Sequence, residues 1–153
     1  LNQTASSIPG PIQVCIHITD SKTKAGVRVV PVHKDLVELL DNLITKSADE
    51  YIMSGLTADK YGNRSNAIGK RFGRLKTRTG LGHEYVFHSI RKTVITVFEN
   101  LGVSEGLTAD IVGHEKKTIT YGLYSAGHSI RNKSGAIDKL SYDFTTPNAH
   151  KPK

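Results

Sequence analysis

Apolar and polar residues near the start of the chain follow a pattern typical of β-strands. The stretch "PIQVCIHI" (residues 11–18) is apolar and β-branched in partial alternation, and "VRVVPV" (27–32) resumes the extended pattern. The intervening "TDSKTKAG" (19–26) is polar and rich in turn-forming residues. The pattern therefore predicts a β-hairpin with Lys22 and Lys24 near its tip.

Five later segments place apolar residues at helical spacing. They are residues 33–46, 64–80, 85–102, 107–118 and 129–142. In the first segment, the leucines that share one face predict a helix that packs in the core: Leu36, Leu39, Leu40 and Leu43. In the third, the apolar stripe consists of Ile90, Val94, Val97, Phe98 and Leu101. We therefore expect a largely helical α+β protein with one small sheet near its start.

The second helical segment is basic around a narrow apolar stripe. The chain has a net charge of +7, and residues 60–92 hold nine Lys or Arg against one acid, or +8. Because no acid occurs between Lys60 and Gly82, these bases lack the i,i+4 partners of a merely solvated helix. We expect this helix to face nucleic-acid phosphates, although charge alone also fits a solubilising helix. The candidate contacts are Arg64, Lys70, Arg71, Arg74, Lys76 and Arg78.

Other features exclude several classes of protein. The single cysteine, Cys15, permits no intramolecular disulfide, and no run approaches the ~18 apolar residues of a membrane span. Residues 1–10 lack the charged start and the apolar stretch of a secretory signal, so we interpret them as a flexible lead-in to one domain over 11–153. We expect a soluble protein in the reducing cytoplasm.

The third helical segment opens with a histidine and an arginine three positions apart, His88 and Arg91. Side chains at i and i+3 are neighbours, with about 5–6 Å between their Cβ atoms. A guanidinium matches two phosphate oxygens, and an imidazole can donate a hydrogen bond or move a proton near neutral pH. The pair is therefore a candidate phosphate clamp. Alternatively, His88 caps the helix and Arg91 pairs with an acid.

A glycine and a histidine, Gly113 and His114, follow the next apolar helix, and Tyr121 and Tyr124 come soon after. Taken alone, Gly113 is typical of a helix C-cap before a polar turn. A metal site formed by His88 and His114 is disfavoured, because no cysteine or acidic ligands cluster with them in the sequence.

The order of these features is similar to that of one family. A hairpin lysine precedes H-x-x-R at the head of an apolar helix, G-H follows the next helix, and a tyrosine comes last. With "FHSIRKT" and "ADIVGHEKKTITYGLYS", the chain resembles the tyrosine recombinase, or phage integrase, family from about Ile12 to Tyr142. The resemblance implies the C-terminal portion of that family's α+β catalytic domain, truncated at its N-terminus.

Enzymes of this family attack a DNA phosphodiester with a tyrosine hydroxyl, forming a 3′-phosphotyrosyl bond and freeing a 5′-hydroxyl, with no metal ion or other cofactor. Fixed cationic groups must then stabilise the developing charge. By resemblance, Arg91 matches the second arginine of the family signature. His88 is the expected general base or donor, and His114 is the expected second phosphate ligand.

Two of the implied roles have alternatives. Lys24 matches the hairpin lysine that protonates the leaving 5′-oxygen, because "KAGVR" suits the family's lysine-turn-basic pattern, and Lys22 is the alternative. Tyr124 is the expected nucleophile, since its spacing from His114 suits the family better than that of Tyr121.

The sequence also departs from the family pattern. The family's first catalytic arginine lies on a helix before the hairpin, but no arginine here precedes Arg28. We therefore expect this fragment alone to bind DNA weakly without cleaving it, and a non-catalytic DNA-binding remnant is the alternative to a recombinase. The expected partners are double-stranded DNA and further copies of the protein, as a tetramer on DNA. The last helix would pack on its own subunit or on a neighbouring one.

Overall fold

The computed structural model describes residues 13–115 and 127–142. In these ranges two strands and five α-helices form. The strands are β1 (Cys15–Ile18) and β2 (Arg28–Pro31), and the helices are α1 (Val37–Thr45), α2 (Ser65–Arg78), α3 (Ser89–Asn100), α4 (Glu105–Val112) and α5 (Ile130–Ile137). The predicted α+β class is confirmed. Among these helices, none has the length and apolar character that a membrane crossing requires.

The two strands form the predicted hairpin. They pair antiparallel, with Cys15 opposite Pro31 and Ile18 opposite Arg28. A single 3₁₀ turn, Lys24–Gly26, lies in the connection between the strands. Lys22 and Lys24 are both exposed at this end of the hairpin. This arrangement fixes where the hairpin lysines stand relative to β2.

The ends of α4 are set by two residues with opposite roles. At its start the hydroxyl of Ser104 accepts a hydrogen bond from the backbone N–H of Leu107 (3.3 Å), as an N-cap should. At its end Gly113 takes the left-handed conformation, with φ +74°, and donates to the carbonyl of Ala109 (2.7 Å). The helix therefore ends before His114, short of the predicted limit at residue 118.

The core lies between α3, α4, α5 and β2. Phe98 of α3 is fully buried, at 0% exposure. Its buried neighbours come from α4 and α5: Ile111, Val112, Ala136 and Ile137. Val30 of β2 and Val94 of α3 pack against this cluster. The core thereby holds the second half of α3, the end of α4 and β2 in one region.

The prediction that α1 packs in the core is wrong for the described structure. No residue of α1 is buried, and Leu39 and Ile44 are 53% and 57% exposed. In α3, too, Ile90 at one end of the predicted stripe is 51% exposed. Helical periodicity identifies an apolar face, but it does not say whether another element covers that face.

Candidate active site

His88 occupies the N-cap position of α3 without acting as a cap. Its side chain makes no capping hydrogen bond with the helix, and the residue is exposed. The alternative in which this imidazole caps the helix is therefore not realised. The ring is available at the surface, on the first turn of the helix.

Arg91 bridges the start of α3 and the end of α4. Its Nη2 donates a hydrogen bond to the carbonyl of Val112. Within the described residues its Nε is buried without a hydrogen-bond partner, and the guanidinium forms no ion pair with a carboxylate. The alternative pairing of Arg91 with an acid is thus absent from the described part of the chain.

The turn at Gly113 positions His114 at the end of α4, next to the carbonyl that Arg91 binds. The left-handed Gly113 closes α4, which agrees with its interpretation as a C-cap. The N–H of His114 donates to the carbonyl of Ala109 (3.0 Å), so the histidine is held directly beyond the helix end. Capping and a role at the site are compatible, since the glycine performs the first and the histidine is exposed beside it.

Arg28 also reaches this site, and the sequence interpretation missed it. Its Nε donates to the carbonyl of Ile111 (2.8 Å), and its Nη1 donates to the carbonyl of Gly26 (2.7 Å). An ideal Cβ on Gly113 would lie 2.5 Å from that Nη1, so the guanidinium lies directly against the turn. A signal was present in the sequence, because the lysine-turn-basic pattern that favours Lys24 ends in Arg28.

The positive groups are close enough to affect one another's protonation. Burial and then the charges of Arg91, His88 and Arg28 lower the pKa of His114 below its usual 6.5. Burial and then the charge of Arg91 lower the pKa of Arg28. The structure therefore brings together three predicted residues, His88, Arg91 and His114, and adds the guanidinium of Arg28.

The hairpin turn lies against the same region. The carbonyl of Ala25 is 3.1 Å from the position of an ideal Cβ on Gly113. Ala25 directly follows Lys24, and Lys22 lies two residues before Lys24 in the exposed turn. These contacts place the turn beside the helix end without distinguishing between the two lysines.

Tyr124 and Tyr121 lie outside the described residues. The chain is described again from residue 127, and His128 is fixed to α4 by Asp110. One carboxylate oxygen of Asp110 accepts from the backbone N–H of His128 (2.8 Å) and lies 2.6 Å from its Nδ1. No sequence pattern predicted this attachment, which lies four residues after Tyr124 in the chain.

The predicted basic residues of the second helical segment separate into two groups. Arg64 precedes α2 and is engaged within the protein, because its guanidinium lies 3.0 Å from a carboxylate oxygen of Asp49 and 3.6 Å from the ring centre of Tyr51. Lys76 is half-buried. At about 100° per residue, the four exposed bases share a single face of α2. They are Lys70, Arg71, Arg74 and Arg78.

One aromatic contact relates α2 to the start of α3. The rings of Phe72 and Phe87 meet edge to face, with 5.4 Å between their centres and an interplanar angle of 88°. Phe87 directly precedes His88, so α2 packs beside the start of α3. At about 100° per residue, Phe72 lies on the opposite side of α2 from the four exposed bases, so the basic face points away from this contact. Over residues 13–115 and 127–142, no three His, Cys, Asp or Glu side chains are grouped to hold a metal ion.

Comparisons with known proteins agree with the motif order. Residues 12–129 match the family described as "Phage integrase family", and the matched stretch is more than half of the chain. The chain is also similar to "Tyrosine recombinase XerC-like" from Caldanaerobacter subterraneus subsp. tengcongensis, at 25% identity over 78% of this chain and 34% of the relative. The chain thus spans about a third of that relative's length. No solved structure matches significantly. The chain belongs to the phage integrase family.

Proposed function

We propose that this chain is part of a site-specific DNA recombinase that breaks and rejoins DNA through a covalent 3′-phosphotyrosyl intermediate. The observation that carries the proposal is the convergence of His88, Arg91 and His114 from two helices onto one site. Like charges that repel one another are stabilised by a shared anion, and one backbone phosphate meets that requirement. Family membership supports DNA as the source of the phosphate.

The proposed step conserves the phosphodiester bond. The hydroxyl oxygen of Tyr124 attacks the phosphorus, the P–O5′ bond breaks, and a P–O(Tyr) bond forms. A free phenol has a pKa near 10, so its proton must pass to a base as the bond forms. Attack by a 5′-hydroxyl on the phosphotyrosyl bond then reverses the chemistry and joins a strand.

Each group at the site has one role in this proposal. Arg91 binds the non-bridging phosphate oxygens, and His114 is the second phosphate ligand. His88 accepts the phenolic proton or donates to the phosphate. The hairpin lysine, Lys24 or alternatively Lys22, gives a proton to the leaving 5′-oxygen. Fixed donors of this kind act without reorganisation as charge develops on the phosphate.

The basic face of α2 supplies binding in the proposal. Its four exposed bases carry no sequence information by charge alone, so they position the duplex rather than read it. Binding to phosphates releases condensed counterions, so affinity falls as salt rises.

Formation of a covalent adduct tests the chemistry. The full-length protein is mixed with nicked duplexes that carry candidate attachment sites, and the products are separated under denaturing conditions. We expect a protein–DNA adduct that disappears in Tyr124→Phe and persists in Tyr121→Phe. Loss of the adduct only in Tyr121→Phe would assign the other nucleophile. DNA binding without any adduct would favour a non-catalytic DNA-binding protein.

The salt dependence of DNA affinity tests the role of α2. Each phosphate contact contributes about 0.9 to the slope of log K against log salt. Arg74→Gln should therefore lower the magnitude of that slope by about 1. Arg131→Gln, an exposed arginine on α5, is the matched control and should leave the slope unchanged. If wild type, Arg74→Gln and Arg131→Gln show the same slope of log K against log salt, Arg74 does not contact DNA phosphates.

A further inference from the structure

Arg28 joins two parts of the site that are far apart in sequence. One end of its guanidinium binds the carbonyl of Gly26, in the turn that carries the lysines. Its Nε binds the carbonyl of Ile111, at the end of the helix that precedes His114. The two carbonyls come from elements separated by more than 80 residues along the chain, and a single planar group spans them.

We propose that Arg28 is a positioning residue for DNA cleavage: it fixes the hairpin turn against the Gly113–His114 turn and so sets where the hairpin lysine stands relative to the bound phosphate. This inference rests on the proposed recombinase function. It differs from the role of Arg91, because Arg28 acts through the main chain of the turn and does not contact the substrate.

The contacts of the guanidinium explain why this position requires arginine. Hydrogen bonds from a charged donor to buried carbonyls are among the stronger ones in proteins. Arginine offers several donors in a rigid planar fork, whereas lysine presents one compact ammonium. Arg28→Lys keeps the charge, but it cannot match both the Nε and the Nη1 contact in the same geometry. The two carbonyls would then move independently.

Gly113 provides a second, independent contact in the same place. Its missing side chain lets the carbonyl of Ala25 and the guanidinium of Arg28 both approach the left-handed turn. The hairpin turn therefore touches the helix end directly, and Arg28 fixes that contact. Proton transfer from a lysine to the leaving oxygen depends steeply on the distance between them, so small displacements of the turn slow the reaction.

The test compares leaving groups in the full-length protein. The variants are Arg28→Lys and Arg28→Gln, with Arg131→Gln as the control. Each is given a nicked duplex with an ordinary 5′-oxygen leaving group and a second duplex with sulfur in that bridging position. A thiolate leaves without a proton donor, because a thiol ionises far more readily than an alcohol. A defect in placing the lysine is therefore relieved by sulfur, whereas a defect in phosphate binding is not.

We expect both Arg28 variants to form adduct about 10- to 100-fold more slowly on the oxygen substrate, as a displacement of roughly 1 Å at a reacting group costs. On the sulfur substrate the defect should largely disappear, and DNA affinity should match that of the control. Equal slowing on both substrates would overturn the proposal, since it would place Arg28 in phosphate binding or in general stability.

Hydrogen exchange supplies a second measurement that needs no chemistry. In the free protein, the amides of Gly26 and Val27 donate to Thr23 and Lys24 within the hairpin turn. Both Arg28 variants should exchange these amides faster than wild type, while Arg131→Gln does not. If these two amides exchange at the wild-type rate in both Arg28 variants, the proposal is overturned. If wild type forms no adduct on either substrate, the recombinase function fails, and exchange alone decides whether Arg28 fixes the turn.

Discussion

The substitution Gly113→Ala tests the packing of the site most directly. Gly113 has φ +74°, a conformation that costs an L-residue about 1–2 kcal/mol. The added methyl group would also lie 2.5 Å from Nη1 and 2.8 Å from Cζ of Arg28. The carbonyl of Ala25 is also close, at 3.1 Å, and belongs to the backbone, so the guanidinium must move away.

The second part of the cost follows from the bonds that Arg28 would lose. A hydrogen bond from a charged group contributes about 1.5–3 kcal/mol, and moving the guanidinium breaks at least one of its two carbonyl contacts. Together with the backbone cost, Gly113→Ala should lower the free energy of unfolding by roughly 3–5 kcal/mol. Gly102→Ala is the matched control, since Gly102 has φ +69° after α3 but open space around its Cβ position.

Urea unfolding followed by circular dichroism measures both variants. Gly102→Ala should cost only the backbone part, about 1–2 kcal/mol. In an Arg28→Ala background, the cost of Gly113→Ala should fall towards that value, because the guanidinium that it displaces is gone and only the carbonyl of Ala25 stays close. If Gly113→Ala costs no more than Gly102→Ala in the wild-type background, Arg28 does not lie against this turn.

Three further predictions follow from individual contacts. Phe98→Ala should lower the free energy of unfolding by about 3–5 kcal/mol in urea titrations, because the ring is fully buried at the centre of the core. Ser104→Ala should cost about 1 kcal/mol in the same assay through loss of the N-cap of α4. The lowered pKa of His114 means that the unfolded chain takes up this proton first as pH falls. Stability should therefore decline below about pH 6.5, and the decline should be smaller in His114→Gln.

Local sequence patterns predicted the elements well. The alternation around Cys15 and Val30 and the turn residues between them specify the hairpin, since each signal is local. Gly113 marks the end of α4 for the same reason, because a left-handed C-cap is a property of one residue. The spacing of His88 and Arg91 needs only a helix to place the two side chains on neighbouring positions.

The missed features all depend on contacts between distant segments. Arg28 belongs to the site because β2 packs beside the end of α4, and chain order says nothing about that contact. Arg64 carries the same charge as its neighbours on α2, but Asp49 engages it across a loop. The leucines of α1 share a face as predicted, yet the described core forms among other elements. Periodicity and charge define what a segment can contact, and tertiary packing selects among the possibilities.

The end of α4 explains how the protein tolerates several cations in one place. The last carbonyls of a helix lack partners within it and carry the negative end of its dipole. Arg28 and Arg91 donate to two of these carbonyls, those of Ile111 and Val112. The helix end thus orders both guanidinium groups and partly offsets their repulsion.

The same arrangement leaves positive charge directed at the surface beside His114, where one anion can interact with His88, Arg91 and His114. The residues that would bind the phosphate, His114 and Arg91, also make contacts that hold the folded end of α4 together. A bound DNA phosphate should therefore stabilise the fold through His114 and Arg91, by an amount set by its affinity and concentration. A substitution that loosens the end of α4 should weaken that stabilisation even when no DNA-contacting side chain changes. The site is a consequence of how this helix is capped, and the capping contacts are as much a part of the proposed chemistry as the groups that would touch the DNA.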